Sequence, residues 1–380
     1  MMKRRYSIIS AVIVTAAGTA FGQTVRPFPQ NVEYPFGYMP RTITHEAARE
    51  TYNKWKELYL VKCNDGYRVM CEGRNETRVE AIGFGTILAA YYGDREVFDG
   101  LYRFYESKRT ENANHMMAWN VSCDGINDPG SATDGDIDVA FALVVAYNQW
   151  GGDYLARARE VIRIIKNSVV VTCDTLLALA PGYSKESDMG PVWGGCDLTD
   201  IQYYTPAFFR IFAEVSGDGD WHKLADDSYA ILNAAAHPET GLVPDWQSVS
   251  GTPGGNSRRV DYFRYDACRV PWRMALDYLW NGNEEAGNWC AKVAGWANSI
   301  GPARITDGYN LDGSENNRGT HNSAFTGGFA VSAMCHSQAV ADAFGKEMTS
   351  SRLADGHWFT MSTRALYLLS VTGNFWKPVL

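Results

Sequence analysis

Asp138-Val-Ala-Phe-Ala-Leu-Val-Val-Ala-Tyr147 is apolar on nearly every side once its leading aspartate is passed. A surface helix carries an apolar stripe opposite a polar face, so a helix without a polar face must be enclosed on both sides. The stretch therefore predicts an inner helix covered by a second layer. Outward from it, apolar residues recur at three-four spacing over 44–60, 79–92, 95–108, 136–149, 153–167, 203–215, 219–235, 267–280, 283–299, 323–334, 337–346 and 359–372. β-rich pieces such as 168–172 are short and read as hairpins within loops. Twelve predicted helices, joined alternately by short turns and long loops, imply an all-α fold of six helical hairpins in a ring. Six helices would form the inner layer and six the outer. The long loops at 61–78, 109–135, 168–202, 236–266 and 300–322 would gather at one end and form a cleft. No linker or repeat interrupts the pattern, so one domain is expected over 23–380.

The 380 residues are 46% hydrophobic and 21% charged, an ordinary globular composition that excludes extended disorder. A formal charge of −8, with Lys and Arg scattered beyond the first few residues, argues against nucleic acid as a partner. The N-terminus reads as an export signal over 1–22. Lys3, Arg4 and Arg5 precede an apolar stretch at 8–17, and small residues follow at Gly18, Ala20 and Gly22. Cleavage is expected near Gly22–Gln23 or Ala20–Phe21, giving a secreted protein, extracellular or periplasmic. A membrane anchor would need about 20 apolar residues, and this stretch is shorter. Residues 24–42 are Pro-rich and aromatic, an extended lead-in. Eight cysteines suit an oxidising compartment, and no CxxC pair or Cys–His spacing marks a metal site. Cys63 and Cys71 bracket a polar loop and are the expected bridge, with buried thiols an alternative for several of the others.

Three acidic segments stand where long loops meet helices. In Val79-Glu80-Ala81-Ile82-Gly83-Phe84-Gly85, Glu80 opens an apolar helix. It reads either as a helix-start glutamate favoured by the macrodipole or as a desolvated carboxyl with the raised pKa of a general acid. In Thr133-Asp134-Gly135-Asp136-Ile137-Asp138, the closing Glu of a calcium loop is missing. Thr133 with Asp136 fits helix capping, which leaves Asp134 free to point into the cleft, with Asp138 structural. In Tyr265-Asp266-Ala267-Cys268-Arg269-Val270-Pro271, the proline suits a first helical turn and places Asp266 at a loop end. Arg269, about one turn later, can hold that carboxylate ionised. The alternative is a capping Asp with a surface salt bridge.

These segments resemble glycoside hydrolase family 8. Residues Ala132–Ala140, continuing through Ala146 and Trp150, match the family's central Asp signature, with Val139 where Ile or Met is usual. The acid motif Ser-Glu-Gly-x-Gly-Tyr-Gly is matched at Glu80, Gly83 and Gly85 and departs at Val79, Ala81 and Phe84. The base motif Tyr-Asp-Ala-Ser-Arg-x-Pro is matched by Tyr265–Pro271 except for Cys268, and Thr372–Pro378 is similar to family C-termini. The resemblance implies an (α/α)6 barrel and hydrolysis of a β-1,4-linked polysaccharide with inversion. Glu80 would be the general acid and Asp266 the base. Asp134 would hold the distorted sugar and Tyr203 would help position the water. Trp119 and Trp193 resemble stacking positions, whereas Trp150, Trp272 and Trp289 read as core.

An endo-β-1,4-glucanase acting on cellulose or mixed-linkage glucan is the leading expectation. A xylanase, endo or reducing-end acting, is the rival, since xylan-active members carry Asp-Gly-Glu-Glu-Tyr where this chain has Asp134-Gly135-Asp136-Ile137-Asp138. Chitosan-active members carry Asn where Asp266 stands. A sugar-binding protein without turnover would need neither Glu80 nor Asp266, and a periplasmic accessory hydrolase of cellulose synthesis would share the chemistry. No cofactor is called for, and a monomer is expected.

Overall fold

Two kinds of helix alternate along the chain. The computed structural model describes residues 25–380 except 74, 189 and 256–258, so the expected signal at 1–22 lies outside the described residues. The helices are α1 His45–Tyr59, α2 Val79–Tyr92, α3 Arg95–Ser107, α4 Thr133–Trp150, α5 Tyr154–Val169 and α6 Pro206–Ser216. They continue with α7 Asp220–Ala235, α8 Val270–Asn281, α9 Glu284–Ile300, α10 Ser323–Ala333, α11 Gln338–Glu347 and α12 Trp358–Val371. The even-numbered helices are covered almost all round, and every residue of α10 is buried. The odd-numbered ones bury a single face, such as Phe98, Leu101 and Tyr105 of α3.

That difference sorts them into layers. Helix α2 packs on α4, α4 on α6, α6 on α8, α8 on α10, α10 on α12, and α12 back on α2. Helices α1, α3, α5, α7, α9 and α11 lie outside, each against one or more of the inner six. The result is the (α/α)6 barrel expected from the sequence. Its interior holds stacked aromatics, with Phe141 and Phe208 at 3.6 Å between centroids and Phe375 and Trp280 beside them. Asp138 is structural, as expected: it accepts from Arg273 Nη1 at 2.5 Å and Nη2 at 2.7 Å in the buried interior.

The C-terminal ends of the inner helices are fastened by the lead-in. Tyr38 N–H donates to Met334 O at 2.8 Å, Val32 N–H to Gly373 O at 2.7 Å and Tyr34 Oη to Ser370 O at 2.9 Å. Gln30 Nε2 donates to Tyr91 O at 2.8 Å. This end is the floor of the barrel; the long loops collect at the other.

Three expectations change. Helix α4 starts at Thr133 instead of 136, with Ala132 as N-cap. Thr133 Oγ1 donates to Ala180 O, so it is not the cap, and Asp136 is no part of a capping box. Asp136 instead accepts from Tyr105 Oη at 2.6 Å and Met117 N–H at 3.1 Å, and burial pushes it up to about 7. Cys63 joins Cys123, not Cys71, and Cys173 joins Cys196. The reason is register: in the hairpin Leu60–Cys63/Gly66–Val69, Cys63 lies opposite Gly66, whereas Cys71 follows Val69 at the far end. Cys71, Cys268, Cys290 and Cys335 are buried thiols. The piece at 168–172 does enter a hairpin, Val170–Cys173 with Leu176–Leu179. Among the described residues, no helix is long and apolar enough to cross a membrane.

Candidate active site

Residues in or just before the first turns of all six inner helices line two neighbouring cavities. One, of about 490 Å³, is lined by Glu80 (α2), Asp266 and Arg269 (before α8), Asn322 (before α10), and Trp358 and Phe359 (α12). The other, of about 500 Å³, is lined by Ala132 (before α4) and Tyr203 (before α6), with Trp119, Trp193, Trp246 and Arg259. They are bridged by Trp246, whose indole Nε1 donates to Asp266 Oδ2 at 2.9 Å.

Glycine brings the first two carboxyl groups together. A Cβ on Gly135 would lie 2.5 Å from the Val79 carbonyl carbon, and one on Gly83 would lie 2.8 Å from Asp138 Cβ. Only hydrogen at both positions lets α2 and α4 approach this closely, with Glu80 and Asp134 each at the second residue of its helix. The third carboxylate arrives on a short 3-10 turn, Ala267–Arg269, which Asp266 precedes.

Arg269 ties all three together. Its guanidinium is 3% exposed and pairs through Nη1 with Glu80 and, at 3.4 Å, with Asp134, and through Nη2 with Asp266 at 2.9 Å. The expected contact to Asp266 is present, but the same cation serves two further acids. Burial pushes Glu80 up to about 7; Arg269 pulls it down, while Asp134 and Asp266 add to the rise. Burial outweighs the cation because only 15% of the side chain meets water. Asp266 differs, with 36% of its side chain exposed.

Asp134 is not free in the cleft. Its Oδ2 accepts from Gln202 Nε2 at 3.1 Å, its Oδ1 from Gly135 N–H at 3.0 Å, and 4% of it is exposed. Tyr203 lies in the 3-10 turn Ile201–Tyr203, its ring 6.4 Å from Trp246 and its hydroxyl pushed well up by burial and by Asp134, Asp200 and Asp266. Trp193 meets Trp246 edge-on at 5.6 Å, and Arg259 lies over both rings at 5.0 and 4.8 Å. Trp119 is half-buried in the second cavity, while its carbonyl accepts Val79 N–H at 3.0 Å. Trp272 and Trp289 are buried, and Trp150 packs against Phe98 and Tyr154.

Sequence reasoning missed Trp246, Asp245, Asp200 and Gln202. Asp200 and Asp245 are buried carboxyls pushed well up by burial and by the charge of Asp266. A signal existed for one pair: Pro244-Asp245-Trp246 stands inside the long loop 236–266, where a buried-type residue beside an acid has no helical stripe to join.

Cleavage of a sugar acetal is the work of two carboxyl groups facing one cleft, with pyranose faces resting on aromatic rings. At the loop end of an (α/α)6 barrel this arrangement defines a glycosidase. Residues 27–371 match the profile of Glycosyl hydrolases family 8, and the chain belongs to that family. It is 32% identical over 388 residues to Endoglucanase 2 of Ruminiclostridium josui, covering 97% of this chain and 81% of that protein. It is 30% identical over 246 residues to the reducing-end xylose-releasing exo-oligoxylanase Rex8A of Paenibacillus barcinonensis, covering 58% of this chain and 60% of that protein. The apo β-1,3-1,4-glucanase of Paenibacillus sp. X4 superposes with a TM-score of 0.83 at 27% identity, covering 93% of this chain and 99% of that one.

Proposed function

We propose that this chain is a secreted endo-β-1,4-glucanase that cleaves cellulose or a related β-glucan with inversion. The observation that carries the reading is that Glu80 and Asp266 line one cavity and share the Arg269 guanidinium. Glu80, which keeps its proton up to about 7, protonates the leaving oxygen. Asp266, the more exposed of the two, activates a water on the opposite face of the sugar. Inverting pairs stand about 6.5–9.5 Å apart once the water is seated between them. Asp134 holds the distorted ring, Tyr203 positions the water, and Trp119 and Trp193 offer faces for stacking. The chemistry needs no cofactor. The bridges Cys63–Cys123 and Cys173–Cys196 support an exported protein, and a monomer suffices because every group named lies on one chain.

The test is NMR of the first product anomer from a defined cello-oligosaccharide. An α-anomer supports inversion, and a β-anomer would refute it. A xylanase is the second reading, supported by the relative named for xylose release. The endoglucanase relative matches over far more of the chain, 97% against 58%, which favours glucan. Parallel assays on carboxymethylcellulose, lichenan, xylan and chitosan decide; release from xylan alone would overturn the glucan assignment.

A further inference from the structure

The base reaches the cleft from the end of a loop, and its carboxylate is aimed by hydrogen bonds rather than by packing on a helix. Asp266 precedes a short 3-10 turn, and its side chain is one-third exposed. Arg269 holds Oδ1, but Arg269 also serves Glu80 and Asp134, so this contact alone leaves the carboxylate plane free to turn about it. Among the described residues, the second oxygen has one partner, the indole N–H of Trp246 at 2.9 Å. An indole N–H donates only, so it orients the carboxylate without competing for the proton that the base must take.

Trp246 is itself firmly placed. Trp246–Gln247 pairs antiparallel with Thr199–Asp200, and Trp246 N–H donates to Val260 O at 3.2 Å. The preceding Asp245 accepts from Arg264 N–H at 2.7 Å and Ala267 N–H at 2.8 Å, fixing the backbone on both sides of Asp266. The dipeptide thus grips the base twice, by its main chain and by its carboxylate. The ring of Trp246 also forms a wall of the second cavity, with Trp193, Tyr203 and Arg259 against it.

Resting on the assignment of Asp266 as base, we propose that Trp246 is the positioning residue of that base and links a sugar seated in the Trp119–Trp193 cavity to the angle of the Asp266 carboxylate. A pyranose entering that cavity presses on the ring whose N–H aims the base. Filling the cavity therefore raises kcat as well as tightening binding.

The test removes the donor while leaving an aromatic ring in place. Trp246→Phe is the first variant, and 3-benzothienylalanine at 246, which matches the indole in shape but lacks the N–H, is the second. Kinetics are measured on cello-oligosaccharides of increasing length. Both variants should lose about tenfold to a hundredfold in kcat with KM within about twofold, the scale expected of a misaligned reacting group. In the natural enzyme kcat should rise once the substrate is long enough to reach the Trp119–Trp193 cavity, and that rise should vanish in both variants. An unchanged kcat in the benzothienyl variant, a loss confined to KM, or a natural kcat that ignores substrate length would each overturn the proposal. Asp266→Asn run alongside separates the two failures: if it hydrolyses at the natural rate, the base assignment itself is wrong.

Discussion

Replacing Glu80 by Gln is expected to abolish turnover and, above neutral pH, to make the protein harder to unfold. The carboxyl rises from an ordinary 4.5 to about 7 in the folded chain, chiefly through burial. At 1.36 kcal/mol per pH unit, this amounts to about 3 kcal/mol by which the folded state disfavours the ionised form. Below about pH 4.5 folded and unfolded chains are both protonated, and Glu and Gln behave alike. Between there and about pH 7 the unfolded chain ionises first, so the natural protein loses stability as pH rises. Above 7 both states are ionised and the full penalty stands. Glu80→Gln should therefore match the natural protein near pH 4 and exceed it by up to about 3 kcal/mol near pH 8, roughly 4 °C in Tm for a chain of this size. Paired thermal melts at about pH 4, 5.5 and 8 read the effect directly, and kcat/KM of the natural enzyme should fall through about pH 7 as Glu80, the proposed donor, loses its proton. A variant that is less stable than the natural protein at pH 8 would refute the reasoning, because the Arg269 pairing would then outweigh burial.

Further outcomes are expected elsewhere in the molecule. Arg273→Met strands the buried Asp138 carboxylate and should cost about 3–5 kcal/mol in urea unfolding, most of it recovered by adding Asp138→Leu. Gly135→Ala places a methyl against the Val79 backbone; it should cost about 1–3 kcal/mol and lower kcat, because Glu80 follows Val79 on the displaced helix. Trp193→Ala should raise KM more than it lowers kcat, as measured on long oligosaccharides. Unreduced protein unfolded in guanidinium should release four thiols to a colorimetric reagent, from Cys71, Cys268, Cys290 and Cys335.

The twelve described helices were legible because burial, on one face for the outer six and all round for the inner, leaves a mark that needs no partner to be read. The run from Asp138 to Tyr147 is apolar all round, and it lies inside. Helix starts were less legible where a long-range contact decides them. Asp136 looks like a capping residue until Tyr105, from the neighbouring outer helix, is seen to claim it. Three expected site acids do converge, yet nothing near Arg269 in the chain announces that it serves Glu80 and Asp134 as well as Asp266, since those partners are 189 and 135 positions away. The Cys63–Cys123 bridge was hidden for the same reason, being a contact between distant loops, whereas the nearer Cys71 is carried off by hairpin register.

The polarity of the inner ring has a consequence for how so many acids share one spot. All six inner helices present their amide-rich ends to the cleft, and each such end carries about half a positive charge. The barrel thus acts as a fixed counter-ion of roughly three charges spread around the rim, before any arginine is counted. Acidic side chains gathered there meet a background built into the backbone, one that no single side-chain replacement removes. Chemistry at this rim can therefore be re-cut by changing which carboxyls project from it, while the field that tolerates them stays in place.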